Sequence, residues 1–358
     1  MAQPTITVEH KADGSSTWTT LNNVQQLELN SGRRKVSDDW RPGTVNIRGR
    51  RPDLLPQINL ADSLRVKITA NSVTVTKTYR VSDSQFVYGI NSAADYWTLD
   101  GEDALAKLGR ATYTATWTTS QTVSGRMIGV CAAAGLNPPI AITSSWTNTY
   151  TQSSATFDQA PALDVFQRLM NTEQGLVYAT ADDILIAYRG WQDALTRSYM
   201  SDDGVGTNPG TYQDLEFRSM LDNYATKVVS TNDTLTEYSG MGDIVFGQPT
   251  LAFDAATLQQ IAQYVKGVLS VQAQTPNRMA VLLNAQTTSA AMNLMDALSE
   301  VALRFRGTVY YCFIEGYTVS SDFNSTRINF YLSDSSFYKF LVLNDTLYGT
   351  LDYNKLGF

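Results

Sequence analysis

The sequence predicts a predominantly β protein of the α+β class, with two barrel-like domains, α/β insertions and one long helix in the second half. Thr and Ser together outnumber all charged residues, which make up only 17% of the chain against about 25% in ordinary soluble domains. Short runs of alternating apolar and polar residues recur, and helical spacing is confined to a few segments. With 358 residues, the chain can bury about three quarters of its unfolded surface.

The first predicted domain, residues 1–99, is a β-barrel-like unit. Thr5–Glu9 and Gly43–Arg48 alternate apolar with polar residues, as half-buried strands do. In Leu64–Ile68 the apolar side chains fall on one face and both cations on the other. So many short strands within 100 residues are typical of a small barrel or sandwich.

The second predicted region, residues 100–200, is an α/β insertion. Its first helix follows Asp103, and its second runs from Ser124 to a C-terminal Gly135. For the third helix we predict Asp158 as the N-cap and Pro161 in the first turn. A hairpin of two strands, around residues 176–179 and 184–188, is expected to pack on it.

The third predicted region, residues 201–358, is a second barrel-like domain. It opens with the predicted linker Ser201–Gly210, which is rich in Gly, Asp and Pro. Asp254 is the expected N-cap of a long helix over about 254–272, because apolar residues follow it at spacings of three and four. From Met279 onward the pattern returns to strands.

The composition excludes much of enzyme chemistry. His10 is the only histidine, and Cys131 and Cys312 are too far apart in sequence to indicate a disulfide framework, so buried reduced thiols are expected. No cluster suits a metal, and no glycine-rich phosphate loop or nucleophile elbow occurs, so we expect no cofactor and no catalytic residue. A net charge of −7 argues against general nucleic-acid binding. The start has no secretory pattern, and no apolar run is long enough for a membrane helix.

One basic cluster stands out in this acidic chain. Besides Lys35 it contains six arginines that are candidate interface residues: Arg33, Arg34, Arg41, Arg48, Arg50 and Arg51. The cluster fits either a contact site for an acidic partner subunit or a solvated strand-and-loop face. Contact with DNA is disfavoured because interleaved aromatic residues are absent.

Three other features have competing interpretations. Asp202-Asp203 with Gly204 resembles half of a calcium loop, but lacks the later acidic ligand, so a structural turn is favoured. Asp182-Asp183 is interpreted as a solvated hairpin turn. The C-terminal aromatics suggest core packing or, as the minority alternative, a carbohydrate platform; they are Tyr310, Tyr311, Phe313, Tyr317, Phe323, Phe330, Tyr331, Phe337, Tyr338 and Phe340.

Several segments, in this order, resemble tail-tip hub proteins, which are minor tail proteins of long-tailed non-contractile bacteriophages. In the first half the segments are Phe86–Ile90, Tyr96–Ala106, Arg126–Gly135 and Ala162–Tyr178. In the second half they are Leu221–Val228, Tyr238–Gly240, the long helix, Thr275–Met279 and the closing Tyr348–Phe358. The resemblance spans nearly the whole chain and lies in the order of the segments.

The resemblance implies a baseplate hub of the virion: a homotrimer around the tail axis that joins the tail tube to distal tip, fibre or receptor-binding proteins. Such a hub surrounds the channel for DNA and the tape measure protein, without sequence-specific DNA contacts and without a membrane anchor. It would be made in the host cytoplasm. This chain carries no appended hydrolase motif, so we expect no enzymatic activity. The alternative is a carbohydrate-binding tail protein that recognises the receptor.

Overall fold

The structure is a computed structural model of the chain. It describes residues 3–35, 37–90, 94–119, 121–136, 140–142, 153–182, 185–189, 198–205, 210–218, 224–270, 275–284, 287, 289–296, 300–322 and 324–335. The closing segment of the resemblance, residues 348–358, therefore lies outside the described residues, as do residues 221–223.

Seven strands form the N-terminal part. They are β1 (Thr5–Lys11), β2 (Thr19–Thr20), β3 (Val24–Gly32), β4 (Thr44–Arg50), β5 (Ser63–Ala70), β6 (Val73–Val87) and β7 (Tyr96–Glu102). The predicted alternation is confirmed in β5, where Leu64, Val66 and Ile68 are buried between less buried cations. A single 3-10 turn, Pro52–Leu54, lies between β4 and β5.

Helices and strands alternate in the middle part. It contains α1 (Leu105–Arg110), β8 (Thr112–Trp117), α2 (Val123–Ala133), β9 (Ala141–Ile142), β10 (Ala155–Pro161), α3 (Ala162–Glu173), β11 (Gly175–Ala179) and β12 (Leu185–Arg189). The predicted hairpin is confirmed as the antiparallel pair β11–β12.

In the last part, the described residues form nine strands and two helices. They are β13 (Ser198–Ser201), β14 (Asp214–Glu216), β15 (Lys227–Thr231), β16 (Thr236–Gly240), β17 (Val245–Pro249), α4 (Ala255–Ser270), β18 (Arg278–Leu283), α5 (Ser289–Asp296), β19 (Glu300–Phe305), β20 (Thr308–Ser321) and β21 (Thr326–Asp334). The long helix is confirmed as α4, and the Asp254 carboxylate accepts from the Thr257 amide at 2.7 Å as an N-cap does.

Two predictions at this level are wrong. Asp158 is not an N-cap, because it lies in β10, and Pro161 is the last residue of that strand rather than part of the first helical turn. The fixed φ of Pro161 suits the residue before a helix as well as one inside it. The prediction of strands alone after Met279 missed α5, whose residues Ala291, Met292, Leu294 and Met295 are buried.

One large sheet unites strands from both ends of the chain, which confirms the predominantly β fold class. Its order is β14-β18-β21-β20-β3-β4-β7-β6-β5-β1-β2, with β19 and β13 branching from β20. The link is the antiparallel pair β3–β20, in which Gly32 faces Gly316 and Leu27 faces Ser321. The predicted division at 99/100 and 200/201 stays a prediction, although β7 runs through the first boundary and strands of both outer regions share this sheet.

The β3–β20 junction brings two backbones unusually close. A Cβ built on Gly316 would lie 2.5 Å from the Ser31 carbonyl oxygen, and one on Gly32 would lie 2.3 Å from the Glu315 carbonyl oxygen. Gly32 also has a φ of +75°, which glycine adopts without strain. Only glycine therefore fits at positions 32 and 316, where the two backbones meet.

A buried ion pair lies at the same junction. Arg33 Nε donates to Glu315 Oε2 at 2.7 Å, and the Arg33 amide donates to the Glu315 carbonyl oxygen at 2.9 Å. Glu315 is fully buried, and its other carboxylate oxygen accepts from the Ser333 hydroxyl at 2.5 Å. A buried carboxylate needs such partners, because unpaired it would cost several kcal/mol.

A smaller unit, residues 224–270, has its own core. The three-stranded sheet β16-β15-β17 packs against α4, and Val228, Leu258, Ile261 and Val265 are buried between them. Polar contacts attach this unit to α3: Arg168 donates to Asp233 at 2.7 Å, and the Leu251 amide donates to the Thr172 hydroxyl at 2.8 Å.

The two described ends of the predicted linker, residues 201–205 and Gly210, lie next to each other. The Ser201 amide donates to the Gly210 carbonyl oxygen at 2.9 Å, and the Gly210 amide donates to the Tyr199 carbonyl oxygen at 2.8 Å. Its two ends are therefore tied to one sheet. The interpretation of Ser201–Gly210 as a linker stays a prediction.

The close approach of the two backbones at the β3–β20 junction gives a first prediction. We expect Gly316→Ala to lower the free energy of unfolding by about 2 kcal/mol or more, because its methyl group would overlap the backbone of β3. The matched control is Gly247→Ala in β17, where a Cβ meets nothing within 4 Å and the change should stay below about 0.5 kcal/mol. Urea unfolding measures the free energy of unfolding of both variants. Equal losses would contradict the claim that the β3–β20 approach leaves no room for a side chain at position 316.

Candidate functional site

The six candidate arginines do not form one surface. Arg33 points inward, as its pairing with Glu315 shows, and its guanidinium also stacks over Trp40 at 4.7 Å from the ring centre. Arg51 is exposed but makes a two-pronged contact with Asp53, at 3.0 Å for each nitrogen. Both arginines therefore have partners within the chain, and Arg33 stabilises the fold.

The other four candidates are exposed. Arg48 and Arg50 project from the outer face of β4, where Arg48 stacks over the Tyr96 ring at 4.6 Å and Arg50 donates to the Gln25 side chain at 3.2 Å. Arg34 lies over the Tyr331 ring at 5.7 Å, and Arg41 is exposed in the loop before β4. Among the described residues, Arg34, Arg41 and Arg48 have no carboxylate within ion-pair distance.

Acidic side chains occupy the neighbouring row of the same sheet face. Strand register places Glu28, Asn46, Asp100 and Asp83 side by side on β3, β4, β7 and β6. Asn46 donates to Asp100 at 2.6 Å, and Glu28 and Asp83 are exposed. The outer face of the sheet is thus a polar surface, with arginines at one end of β4 and carboxylates near its centre.

The histidine takes part in a structural pair. His10 Nε2 lies 2.8 Å from Asp62 Oδ2, and both residues are almost fully buried. Burial alone would raise the pKa of Asp62, but the amide N–H groups of Asn59 and Asp13 and the His10 ring hold it below its usual value. His10 has no hydroxyl partner among the described residues, so the arrangement of a nucleophilic triad is not found in them.

The Asp202–Asp203 turn uses its carboxylates internally. Asp203 Oδ1 accepts from the Ser201 hydroxyl at 2.5 Å and from the Val205 amide at 3.0 Å, and Oδ2 accepts from Arg304 at 2.9 Å. Asp202 accepts from the Arg306 amide at 2.9 Å. These bonds favour the structural turn over a calcium site. Asp182 lies in the hairpin turn, and Asp183 is outside the described residues.

The remaining chemical groups are sequestered. Cys131 and Cys312 are buried and are not joined in a disulfide, as expected, and burial raises the pKa of Cys131 to about 12. Within the described part of the chain, no three His, Cys, Asp or Glu side chains are placed to hold a metal ion. A search of the same residues found no helix with the length and apolar character needed to span a membrane.

Most of the C-terminal aromatics pack internally. Phe313, Tyr317 and Phe330 are buried, and Tyr310, Tyr311 and Tyr331 are half-buried. This placement favours core packing over a carbohydrate platform for these six residues. Phe323, Phe337, Tyr338 and Phe340 lie outside the described residues.

Sequence reasoning missed the carboxylates that belong with the arginines. Alternation along β3 places Glu28 on a solvent face, so its exposure could be predicted from the sequence. Its alignment with Asp100 could not, because that depends on strand order. Glu315 is 282 residues away from Arg33, and its surroundings Ile314 and Gly316 are apolar or small. Nothing local marks it as the partner of Arg33.

This chain is similar in fold to solved tail proteins, one of them from a prophage. No family model matches it, and no curated protein matches it. Solved structures do: a tail protein from Neisseria meningitidis has a TM-score of 0.62 at 11% identity, covering 94% of this chain and 98% of that one. The 43 kDa tail protein of prophage MuSo2 from Shewanella oneidensis gives 0.61 at 12% identity, with 92% and 98% covered.

A third structure with a similar fold comes from a bacterial secretion system. It is the Escherichia coli c3393 protein, a component of the type VI secretion system with structural similarity to the T4 tail proteins gp27 and gp5. Its TM-score is 0.57 at 10% identity, covering 91% of this chain and 76% of that one. The likeness confirms the predicted resemblance to phage tail and baseplate proteins at the level of fold.

The Asp203 turn gives a pH prediction. Hydrogen bonds from Ser201, Arg304 and Val205 lower the pKa of Asp203 from 3.8 to about 2. The ionised carboxylate therefore stabilises the fold above pH about 4, and this contribution is lost as pH falls toward 2. We expect Asp203→Asn to unfold at lower urea than the parent at pH 7, with the gap closing between pH 4 and 2.

An exposed aspartate elsewhere is the control for this experiment. Asp243→Asn should unfold at the same urea concentration as the parent at each pH, because Asp243 has no such bonded turn. A gap between Asp203→Asn and the parent that stays constant from pH 7 to pH 2 would show that the carboxylate charge is irrelevant to the turn.

Proposed function

We propose that this protein is a structural component of the phage tail tip, a hub that joins the tail tube to distal tip and receptor-binding proteins. It surrounds the channel through which DNA and the tape measure protein pass, and it assembles as a homotrimer in the virion. Its role is mechanical, without catalysis. The single observation that carries the proposal is the near-complete coverage of both chains in the comparison with two tail proteins.

The large sheet suits a load-bearing ring subunit. Its strands come from Thr5–Glu102 and from Ser198–Asp334, so these two regions share one hydrogen-bonded layer. Both terminal strands are short: β2 has two residues and β14 has three. Short edge strands discourage uncontrolled strand pairing, and ring symmetry repeats one modest contact several times.

The proposed contact surface is the outer face of the sheet near β4. Arg48 and Arg50 lie there, with Arg34 and Arg41 in the loop between β3 and β4. An acidic neighbour would supply the carboxylates that Arg34, Arg41 and Arg48 lack among the described residues. A charge-complementary contact of this kind fixes orientation and speeds association more than it adds affinity.

Two measurements test the proposed role directly. Mass determination of the purified protein in solution should give three times the chain mass of 39.5 kDa. Labelled electron microscopy should place the protein at the distal end of the tail. A label spread along the tail tube, or at the capsid, would contradict the proposed role as a tail-tip hub.

The arginine surface gives a mutational prediction. We expect the double charge reversal Arg48→Glu with Arg50→Glu to reduce incorporation into particles by about tenfold, because like charges would then face the acidic neighbour. The control is Arg218→Glu with Arg306→Glu, which removes the same charge at exposed sites away from β4. Quantitative immunoblotting of purified particles measures both, and equal incorporation would exclude the arginine contact.

A further inference from the structure

The small unit, residues 224–270, has its two ends side by side. The Ala225 amide donates to the Leu269 carbonyl oxygen at 3.3 Å, so the chain enters and leaves the unit at one point. Between these ends the unit packs its own core, in which Val228 and Leu258 are buried. A unit with adjacent ends and a separate core is able to move as a folded body, because neither its sheet nor its helix has to break.

One apolar side chain attaches the small unit to the main core, which the large sheet shares with α2 and α3. Among the described residues of the unit, only Leu251 belongs to that core, and it is fully buried there. Its amide donates to the Thr172 hydroxyl at 2.8 Å, and its carbonyl oxygen accepts from the Ser153 amide at 2.8 Å. The apolar attachment of the unit therefore depends on one leucine.

The other contacts between the small unit and α3 are polar. Arg168 donates to Asp233 at 2.7 Å, and the Asp233 side chain is 64% exposed. Asn171 Nδ2 donates to the Pro249 carbonyl oxygen at 3.1 Å. Water is able to replace hydrogen bonds of this kind, so their net contribution to holding the unit in place is small.

Two polar atoms at this contact are buried without a partner. Arg168 Nε and Gln248 Oε1 are inaccessible to solvent and have no hydrogen-bond partner in the described part of the chain. Each has given up its bond to water without a replacement, which opposes the closed arrangement. A crevice of about 270 Å³ between the loop after β3, the end of α3 and β17 also leaves the packing beside Gln248 incomplete.

We propose that the small unit opens away from α3 as a folded body, turning about its adjacent ends and releasing the Leu251 contact. In the open arrangement the Leu251 amide and the two unpaired atoms of Arg168 and Gln248 face water. Strands β15 to β17 and α4 keep their own bonds. The competing account is a rigid attachment, in which the Leu251 amide meets water only when the unit unfolds. The inference goes beyond the proposed tail role and does not depend on it.

Two consecutive amides give the first test. The Thr250 amide donates inside the unit, to the Thr231 carbonyl oxygen at 2.7 Å, whereas the Leu251 amide donates to Thr172 outside it. Both Thr250 and Leu251 are fully buried. Hydrogen exchange of the full chain, measured by NMR and corrected for the rates of an unstructured chain, should show Leu251 at least about tenfold less protected than Thr250. Equal protection of the two amides would overturn the proposal.

A variant in the core of the small unit gives the second test. Leu258→Ala should speed exchange at Thr250 about thirtyfold or more, because it destabilises the folded unit. Exchange at Leu251 should change less than about twofold, because the unit is folded in both the closed and the open arrangement. Ile261→Val should give the same pattern with an effect of about two- to tenfold at Thr250, and it is the variant to use if Leu258→Ala unfolds the unit. Equal acceleration at both amides would support the rigid attachment and overturn the proposal.

A variant at another contact of the unit separates opening of the whole unit from motion of Leu251 alone. Asp233→Asn weakens the contact with Arg168 and should speed exchange at Leu251 about two- to fivefold. The matched control is Asp243→Asn, an exposed position in the same unit, which should leave the Leu251 rate unchanged. An unchanged Leu251 rate in Asp233→Asn would show that only one residue moves, which would also overturn the proposal.

Discussion

The pairing of β3 with β20 is the constraint on which the rest of the structure depends. It joins strands from the first 102 residues to strands from the last part of the chain in one sheet. The approach requires Gly32 and Gly316, and the charge of Glu315 behind them requires Arg33. The close approach of Gly32 to Gly316 and the Arg33–Glu315 ion pair therefore lie at one junction. This is the point along β20 at which its pairing partner changes from β19 to β3.

The surface features follow from this joint. Arg33 pairs with Glu315 at this junction, so the basic cluster predicted from the sequence does not form one surface. Arg33 points inward, whereas the arginines on β4 and on the loop before it point outward. Because β3 continues into the sheet, Glu28 is aligned with Asp100 and Asp83 beside those arginines.

Local sequence signals predicted local structure well. Alternation in Leu64–Ile68, the cap formed by Asp254, and the β11–β12 hairpin are set by neighbours within a few residues. Asp158 failed because a strand pairing with β8 over Ala155–Pro161 outweighs its capping preference. The pairing of Arg33 with Glu315 could not be predicted, since it depends on strand order over 282 residues.

A double-mutant cycle on Arg33→Met and Glu315→Gln tests the central claim most directly. Urea unfolding of the parent, both single variants and the double variant gives their coupling energy. If the Arg33–Glu315 pair stabilises the β3–β20 pairing, each single variant has a free energy of unfolding about 3 kcal/mol below that of the parent. The loss in the double variant is then smaller than the sum of the two single losses by about 2 kcal/mol or more. Losses that add to within about 0.5 kcal/mol would show that the two residues act independently and that the joint does not rest on their contact.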